Sequence, residues 1–96
     1  MKLLHLSFHF EYAEIIDSIL DRHDVSDYVR YSMVEGKDRD GKHFGTQVFP
    51  GNVTVVQAHI HEDKIDALIN DLQTFKKEKA AHNHLTALIL PVERQL

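Results

Sequence analysis

Apolar and polar residues alternate along the first ten positions of the chain. Every second side chain is apolar, at Leu4, Leu6, Phe8 and Phe10, and the positions between these carry His5, Ser7 and His9. A period of two residues is typical of a strand with one buried face. The pattern therefore predicts a strand over residues 3–10, with its apolar face toward the core.

Two later segments have the helical period instead. Residues 12–23 place apolar side chains three and four positions apart, at Ile15, Ile16, Ile19 and Leu20. A second helix is predicted to begin at Asp63, with a buried stripe formed by Ile65, Leu68, Ile69 and Leu72. Strand chemistry returns in residues 28–35, 53–61 and 85–92.

The order of these elements is strand, helix, strand, followed by strand, helix, strand. This is the split βαβ pattern of ferredoxin-like folds. Right-handed crossovers place the third strand between the first and the second, and the fourth beside the first. The sequence thus predicts an α+β, ferredoxin-like βαββαβ sandwich, in which an antiparallel sheet carries two helices on one face. A length of 96 residues fits one domain over residues 1–96.

The last predicted strand is apolar on both faces, because Leu88 and Leu90 alternate with Ala87 and Ile89. A strand that is buried on both faces needs cover on the side without helices. Self-association is the simplest source of that cover, so the pattern favours an oligomer.

Composition and charge exclude several classes of protein. The chain has no cysteine, so disulfides and thiolate metal ligands are excluded, which suits a reducing cytoplasm. A formal net charge of −4 argues against a nucleic-acid partner. The first residues do not read as a signal peptide, and no stretch approaches the ~20 apolar residues that span a bilayer. We expect a cytoplasmic protein without membrane insertion.

Residues 36–52 form a long polar segment that holds all four glycines of the chain. A loop of this length in a compact domain is uncommon unless it is functional or disordered. Basic and acidic side chains alternate at its tip, from Lys37 to Lys42. The segment is predicted to be either a solvated, flexible loop or an adaptable surface that becomes ordered on a target.

This segment and its flanks, G-K-D-R-D-G-K-H-F-G-T-Q-V-F-P-G-N-V-T-V-V, precede a helix and a strand that ends in L-P-V-E at residues 90–93. With the order of elements over the whole chain, they resemble the PII-like signalling proteins with a short T-loop. The resemblance implies a homotrimer that binds a nucleotide or another small effector in the clefts between subunits. It also implies that residues 36–52, as the T-loop, contact a target protein such as a transporter.

The resemblance places effector binding in this loop and at the end of the second helix, at Gly36, Lys37, Gly41, His43, Gly45, Thr46, Gln47 and Lys79. Residues 78–84 would occupy the place of the B-loop, which wraps nucleotide phosphates in PII proteins. They include no glycine, although phosphate cradles need the close backbone approach that glycine permits. A nucleotide held in the usual PII manner is therefore disfavoured, and the cofactor stays open between a nucleotide and a divalent metal.

Eight histidines stand out in this composition. The predicted topology brings His9, at the end of the first strand, toward the loop and the start of the last strand. His43 lies in the loop, and His82 and His84 precede the last strand. Three neutral imidazoles of this kind suit Zn, Cu, Ni or Fe. The alternative hypothesis is therefore a divalent-metal-binding or metal-tolerance protein, like the CutA family in architecture, with ligands from His9, His43, His82 and His84. Solvated side chains in a polar loop are the other explanation.

The same topology places His5 near His59 and His61 at the opposite end of the sheet, with His23 at that end too. Rings on a sheet face that symmetry mates cover are expected to be buried and hydrogen-bonded. A pH-sensitive contact or a metal site is the alternative.

Catalytic motifs are missing from the sequence, which has neither G-x-S-x-G nor H-E-x-x-H. Acylphosphatases and RNA-recognition modules share the predicted fold. The N-terminal phosphate loop of the former and the stacking aromatics of the latter are absent. We expect a binding protein rather than an enzyme.

Overall fold

The computed structural model describes residues 1–38, 41–43 and 52–96. Along the chain these residues form β1 (Lys2–His9), α1 (Ala13–Arg22), β2 (Tyr28–Val34), β3 (Gly36–Asp38), β4 (Gly41–His43), β5 (Val53–Ile60), α2 (Glu62–Glu78) and β6 (Thr86–Pro91). Short 3-10 turns at Phe10–Tyr12 and Ala80–His82 precede α1 and β6.

The four long strands form one antiparallel sheet in the order β2-β5-β1-β6. The third long strand therefore lies between the first two, and the last lies beside the first, as the sequence predicts. A separate two-stranded ribbon is formed by β3 and β4. The predicted α+β, ferredoxin-like fold is confirmed.

The hydrophobic core lies between one face of the sheet and the two helices. Strand β1 contributes every second side chain, and the helices contribute most of the predicted stripes. Ile65 and Ile69 are only partly buried, and Ile15 is exposed, contrary to the pattern. The buried members are Leu4, Leu6, Phe8, Ile16, Ile19, Leu20, Val25, Val56, Ala58, Ile60, Leu68, Leu72, Phe75 and Leu85. Burial of one large apolar side chain contributes about 1.5–3 kcal/mol, so this set dominates the stability of the fold.

Phe10 does not continue the buried face of β1, contrary to the alternation in the sequence. The strand ends at His9, and the following 3-10 turn leaves Phe10 36% exposed. The Phe10 N–H donates to the Asn52 carbonyl oxygen over 2.9 Å, which fixes the turn against the residue before β5. The backbone therefore leaves the sheet one residue before the pattern ends.

The segment predicted as a loop over residues 36–52 contains regular structure. Strand β3 pairs with β4, with Gly36 opposite His43 and Asp38 opposite Gly41. Such a ribbon is held by backbone hydrogen bonds and needs no apolar face. Its polar sequence therefore gave no sign of it.

An ion pair joins the edge strand β2 to α1. The Arg30 guanidinium donates to the Asp17 carboxylate, and this hydrogen bond, with the negative charge of Asp17, raises the pKa of Arg30. Arginine is already protonated throughout the accessible pH range, so the pair adds no pH dependence of its own. Both side chains are about a third exposed to solvent, which limits the pair to about 1 kcal/mol or less.

Candidate effector site

Most of the predicted site residues lie at one end of the sheet, where β1 finishes. His9, the last residue of β1, is opposite Val53 of β5, and Val53 is also opposite Val34 of β2. The ribbon begins at Gly36, directly after β2, and Lys79 directly follows α2. Because these elements meet at one edge, the ribbon and the turn after α2 belong to the same end of the molecule.

Gly36 brings the ribbon close to the main sheet. A Cβ atom at this position would lie 2.9 Å from Cγ2 of Val53, which is closer than side chains approach one another. Only glycine therefore fits here without moving Val53.

The remaining predicted loop residues are placed in part. Lys37 is exposed on β3, and its backbone pairs with Lys42. The backbones of Gly41 and His43 form the ends of β4. Gly45, Thr46 and Gln47 lie outside the described residues.

Five aromatic rings form a continuous series beneath this end of the sheet. In order they are Phe75, His82, Tyr12, His84 and His9. Phe75 stacks on His82 with centroids 3.9 Å apart, and His84 stacks on His9 at 3.7 Å. Tyr12 joins the two pairs, with its ring edge-on to His82 at 4.9 Å and stacked on His84 at 5.1 Å.

Hydrogen bonds give the two buried histidines of this series opposite roles. Nδ1 of His82 lies 2.6 Å from the carbonyl oxygen of Phe75, so it carries a proton and donates. Nδ1 of His84 accepts from the backbone N–H of His9 over 3.1 Å, so it carries none. Both rings therefore act as packed side chains with defined backbone partners.

This arrangement favours packing over metal ligation. Imidazole lone pairs lie in the plane of the ring, and the His9 and His84 rings are 11° from parallel. Their lone pairs therefore point along two separate planes and do not converge on one ion. Among the side chains that the structure describes, no group of three or more His, Asp or Glu residues is suited to a metal ion. The side chain of His43 lies outside that set.

The turn after α2 is tied down by its own backbone. The N–H groups of His82, Asn83 and Leu85 each donate to a carbonyl three residues earlier, over 3.0–3.1 Å. Nζ of Lys76 donates to the Leu85 carbonyl oxygen over 2.7 Å. These three backbone N–H groups therefore have partners within the turn and are not available to a phosphate.

A groove of about 350 Å³ runs between α1 and α2 and reaches this end of the molecule. Its lining is Tyr12, Ile15, Ile19, Arg22, Asp71, Thr74, Phe75, Glu78, Lys79 and His82. The exposed Lys79 is therefore on its rim. The sequence pattern indicated neither the groove nor Tyr12, because a helical stripe marks buried positions and not the gap between two helices.

The other predicted histidine group is only partly assembled. His5 is opposite Gln57, two residues before His59 on the neighbouring strand, and Nε2 of Gln57 lies 3.4 Å from Nδ1 of His5. His59 lies 3.6 Å from the Asp27 carboxylate. His61 lies beyond β5, immediately before α2, and His23 instead donates to Asp71 of α2 over 2.9 Å.

The sheet face away from the helices is here called the open face. It carries three rows of residues that lie directly opposite one another on neighbouring strands. The rows are Leu90-Leu3-His59, Leu88-His5-Gln57-Val29 and Thr86-Ser7-Val55-Tyr31. None of these residues is Asp, Glu, Lys or Arg, although 27% of the chain is charged. Leu88, Leu90, Val29 and Tyr31 are exposed to solvent. Met33, two residues beyond Tyr31, lies in a shift of register between Tyr31 and Val34.

Solved structures with the same fold include PII-like proteins. CPII, a nitrogen regulatory PII-like protein from Thiomonas intermedia K12 bound to ADP, AMP and bicarbonate, matches with a TM-score of 0.75 and 18% identity, over 93% of this chain and 88% of its own. The same protein bound to ADP and bicarbonate matches with a TM-score of 0.72 and 21% identity, over 97% and 88%. A proposed PII-like signalling protein from Thermus thermophilus gives 0.61 and 11%, over 92% and 80%.

No family model matches the sequence, and no curated protein matches it. At these identities the comparison establishes the fold. The resemblance to PII-like proteins that the sequence predicts is thus confirmed in three dimensions, and the site residues remain predictions.

Proposed function

We propose that this chain is a PII-like regulatory protein that forms a homotrimer and binds a small effector in the clefts between subunits. Residues 36–52 would contact a target protein, with a transporter as one candidate. The chain would act by binding and not by catalysis. The single domain over residues 1–96 would be the unit of assembly.

The open face is the observation that carries this proposal. Large apolar side chains, including Leu88 and Tyr31, lie there without cover from either helix. Charged residues are depleted and aromatic residues enriched at the centres of protein interfaces. A second copy of the chain presents the same uncharged surface, so self-association would remove these side chains from water.

The effector is proposed to be a small anion or a nucleotide. The fold neighbours from Thiomonas intermedia are bound to ADP, AMP and bicarbonate. Lys37 and Lys79 supply exposed positive charge at the end of the molecule where β1 finishes. Because the turn at residues 79–85 is closed by its own hydrogen bonds, we expect these two side chains to contribute more than a backbone cradle.

Location in the cytoplasm is part of the proposal. The chain has no cysteine to form disulfides in an oxidising compartment. Within residues 1–38, 41–43 and 52–96, the structure contains no helix with the length and apolar character to cross a bilayer.

Sedimentation and calorimetry test the proposal together. We expect a mass of three chains of 11.1 kDa at micromolar concentration, and binding of at least one of ADP, AMP and bicarbonate. A double variant Lys37→Ala with Lys79→Ala should weaken that binding by about tenfold or more, since each charged hydrogen bond contributes about 1.5–3 kcal/mol.

Lys64→Ala is the control, because it removes one positive charge from the opposite end of the molecule. A monomer would contradict the trimer. Absence of heat with all three probes would contradict the proposed effector class, and equal weakening by Lys64→Ala would contradict the assignment of Lys37 and Lys79.

A further inference from the structure

We infer that assembly through the open face is reversed by acid, with His5 as the group that takes up the proton. The inference rests on the proposed trimer and adds a regulation that the trimer alone does not require. Its occupant is a second copy of this chain, which presents the same three rows of residues.

His5 lies at the centre of the open face. In its row it is directly between Leu88 of β6 and Gln57 of β5, and Val29 lies beyond Gln57. In the rows on either side, β6 contributes Leu90 and Thr86. A partner that covers Leu88 and Val29 therefore also covers His5.

The groups that face His5 cannot neutralise an imidazolium. Gln57, its hydrogen-bonding partner, is a neutral amide. On the open face, the titratable side chains of the other strands are His59 on β5 and Tyr31 on β2, and β6 presents only Thr86, Leu88 and Leu90 there. A second copy presents the same set, because the covering surface is the same face.

His59 differs from His5 in this respect. Its ring lies 3.6 Å from the carboxylate of Asp27, which precedes β2. A protonated His59 would thus have a counter-charge in its own chain, whereas a protonated His5 would not. Burial of an ion without a partner costs several kcal/mol even after relaxation of the surroundings, so His5 carries the larger penalty.

The sign of the pH dependence follows from linkage. A proton on His5 would be an ion without a partner in the assembled chains, whereas in the separated chains it would face water, so dissociation takes up protons. Assembly is therefore stable at neutral and alkaline pH and weakens as the pH falls through the range where histidine titrates, about pH 6.5. Each chain contributes up to about tenfold in the association constant per pH unit below that range.

Sedimentation equilibrium at constant ionic strength tests the inference between about pH 8 and about pH 5.5, with far-UV circular dichroism to confirm that the chain stays folded. We expect the natural chain to weaken its association by at least about 100-fold over this interval. His5→Leu, and the polar variant His5→Gln, should remove most of that change. His61→Gln, an exposed histidine outside the open face, should keep it.

The outcomes separate this inference from the proposed function. A folded monomer at both pH values contradicts the trimer itself. An assembly with the same mass and affinity at both values contradicts only the acid switch. If the His5 variants respond to pH as the natural chain does, or if His59→Gln removes more of the response than His5→Leu, the assignment to His5 is wrong.

Discussion

His82 shows how a histidine in a polar stretch becomes part of a core. Its ring is almost fully buried, stacks on Phe75, and donates from Nδ1 to the Phe75 carbonyl oxygen. That carbonyl lies in the last turn of α2, where backbone acceptors often lack a partner within the helix. The side chain therefore combines apolar packing with satisfaction of a helix end.

Replacing His82 with phenylalanine should separate these two contributions. His82→Phe keeps a flat ring against Phe75 but removes the donor, so we expect a loss of about 1–2 kcal/mol in the free energy of unfolding. His82→Ala removes the packing as well and should cost about 2–4 kcal/mol. Urea unfolding followed by far-UV circular dichroism measures both. Equal stability of His82→Phe and the natural chain would show that the hydrogen bond contributes nothing.

At the scale of elements, the ribbon of β3 and β4 begins at a close contact with the main sheet. Gly36 starts the ribbon, and the space beside it is filled by Val53 at the start of β5. Valine is stiff about χ1 because it is branched at Cβ. It therefore cannot easily turn away from an added methyl group.

Gly36→Ala should destabilise the chain by about 1–3 kcal/mol, the usual cost of an overpacked contact. The second substitution Val53→Ala should restore part of that loss, because it removes the methyl groups that clash. Lys37→Ala, at the exposed neighbouring position, should change stability by less than about 0.5 kcal/mol. Thermal and urea unfolding of the natural chain, Gly36→Ala, Val53→Ala and the double variant give the coupling energy. A Gly36→Ala chain as stable as the natural one would show that the ribbon moves freely.

At the scale of the whole molecule, the two faces of the sheet have different environments. One face packs on α1 and α2, and the open face carries only uncharged residues and two histidines. In an antiparallel sheet, the face that is exposed to solvent normally carries polar residues. The open face departs from that rule, which is why we attribute it to an interface.

A charge placed on the open face should therefore separate the subunits without unfolding them. Tyr31→Asp is expected to weaken association by at least about 100-fold, because a buried carboxylate without a partner costs several kcal/mol. Ile15→Asp is the matched control, since Ile15 on α1 is 49% exposed and Tyr31 is 48% exposed. Sedimentation of both variants should show assembly only for Ile15→Asp. If both assemble, or both dissociate, the open face is not the interface.

The fold could be predicted from the sequence because its signals are local and periodic. The alternation over Leu4, Leu6 and Phe8 was correct. The helical stripe was correct at Ile16, Ile19 and Leu20 but wrong at Ile15, which is exposed. Each needs only one side of an element to be buried, which the order of residues records directly. The errors fall at ends, as at Phe10, and in the ribbon, where backbone hydrogen bonds act without an apolar pattern.

The candidate site was predictable only as a neighbourhood. The sequence placed His9, His82 and His84 at one end of the sheet, and the structure brings His9 and His84 into contact. The sequence could not predict that the rings of His9 and His84 stack, or that Tyr12 separates His82 from His84. Orientation of a ring depends on contacts between residues as distant as positions 9 and 84, which no local pattern contains.

The sequence by itself determined the order of strands and helices, the sheet topology and the apolar character of the last strand, because these follow from periodicity and chain connectivity. Only the tertiary structure decided that His82 and His84 pack as buried rings, and that the open face carries no charged residue around His5. Both depend on which residues from separate strands and helices meet, and burial is set by those neighbours rather than by the residue type.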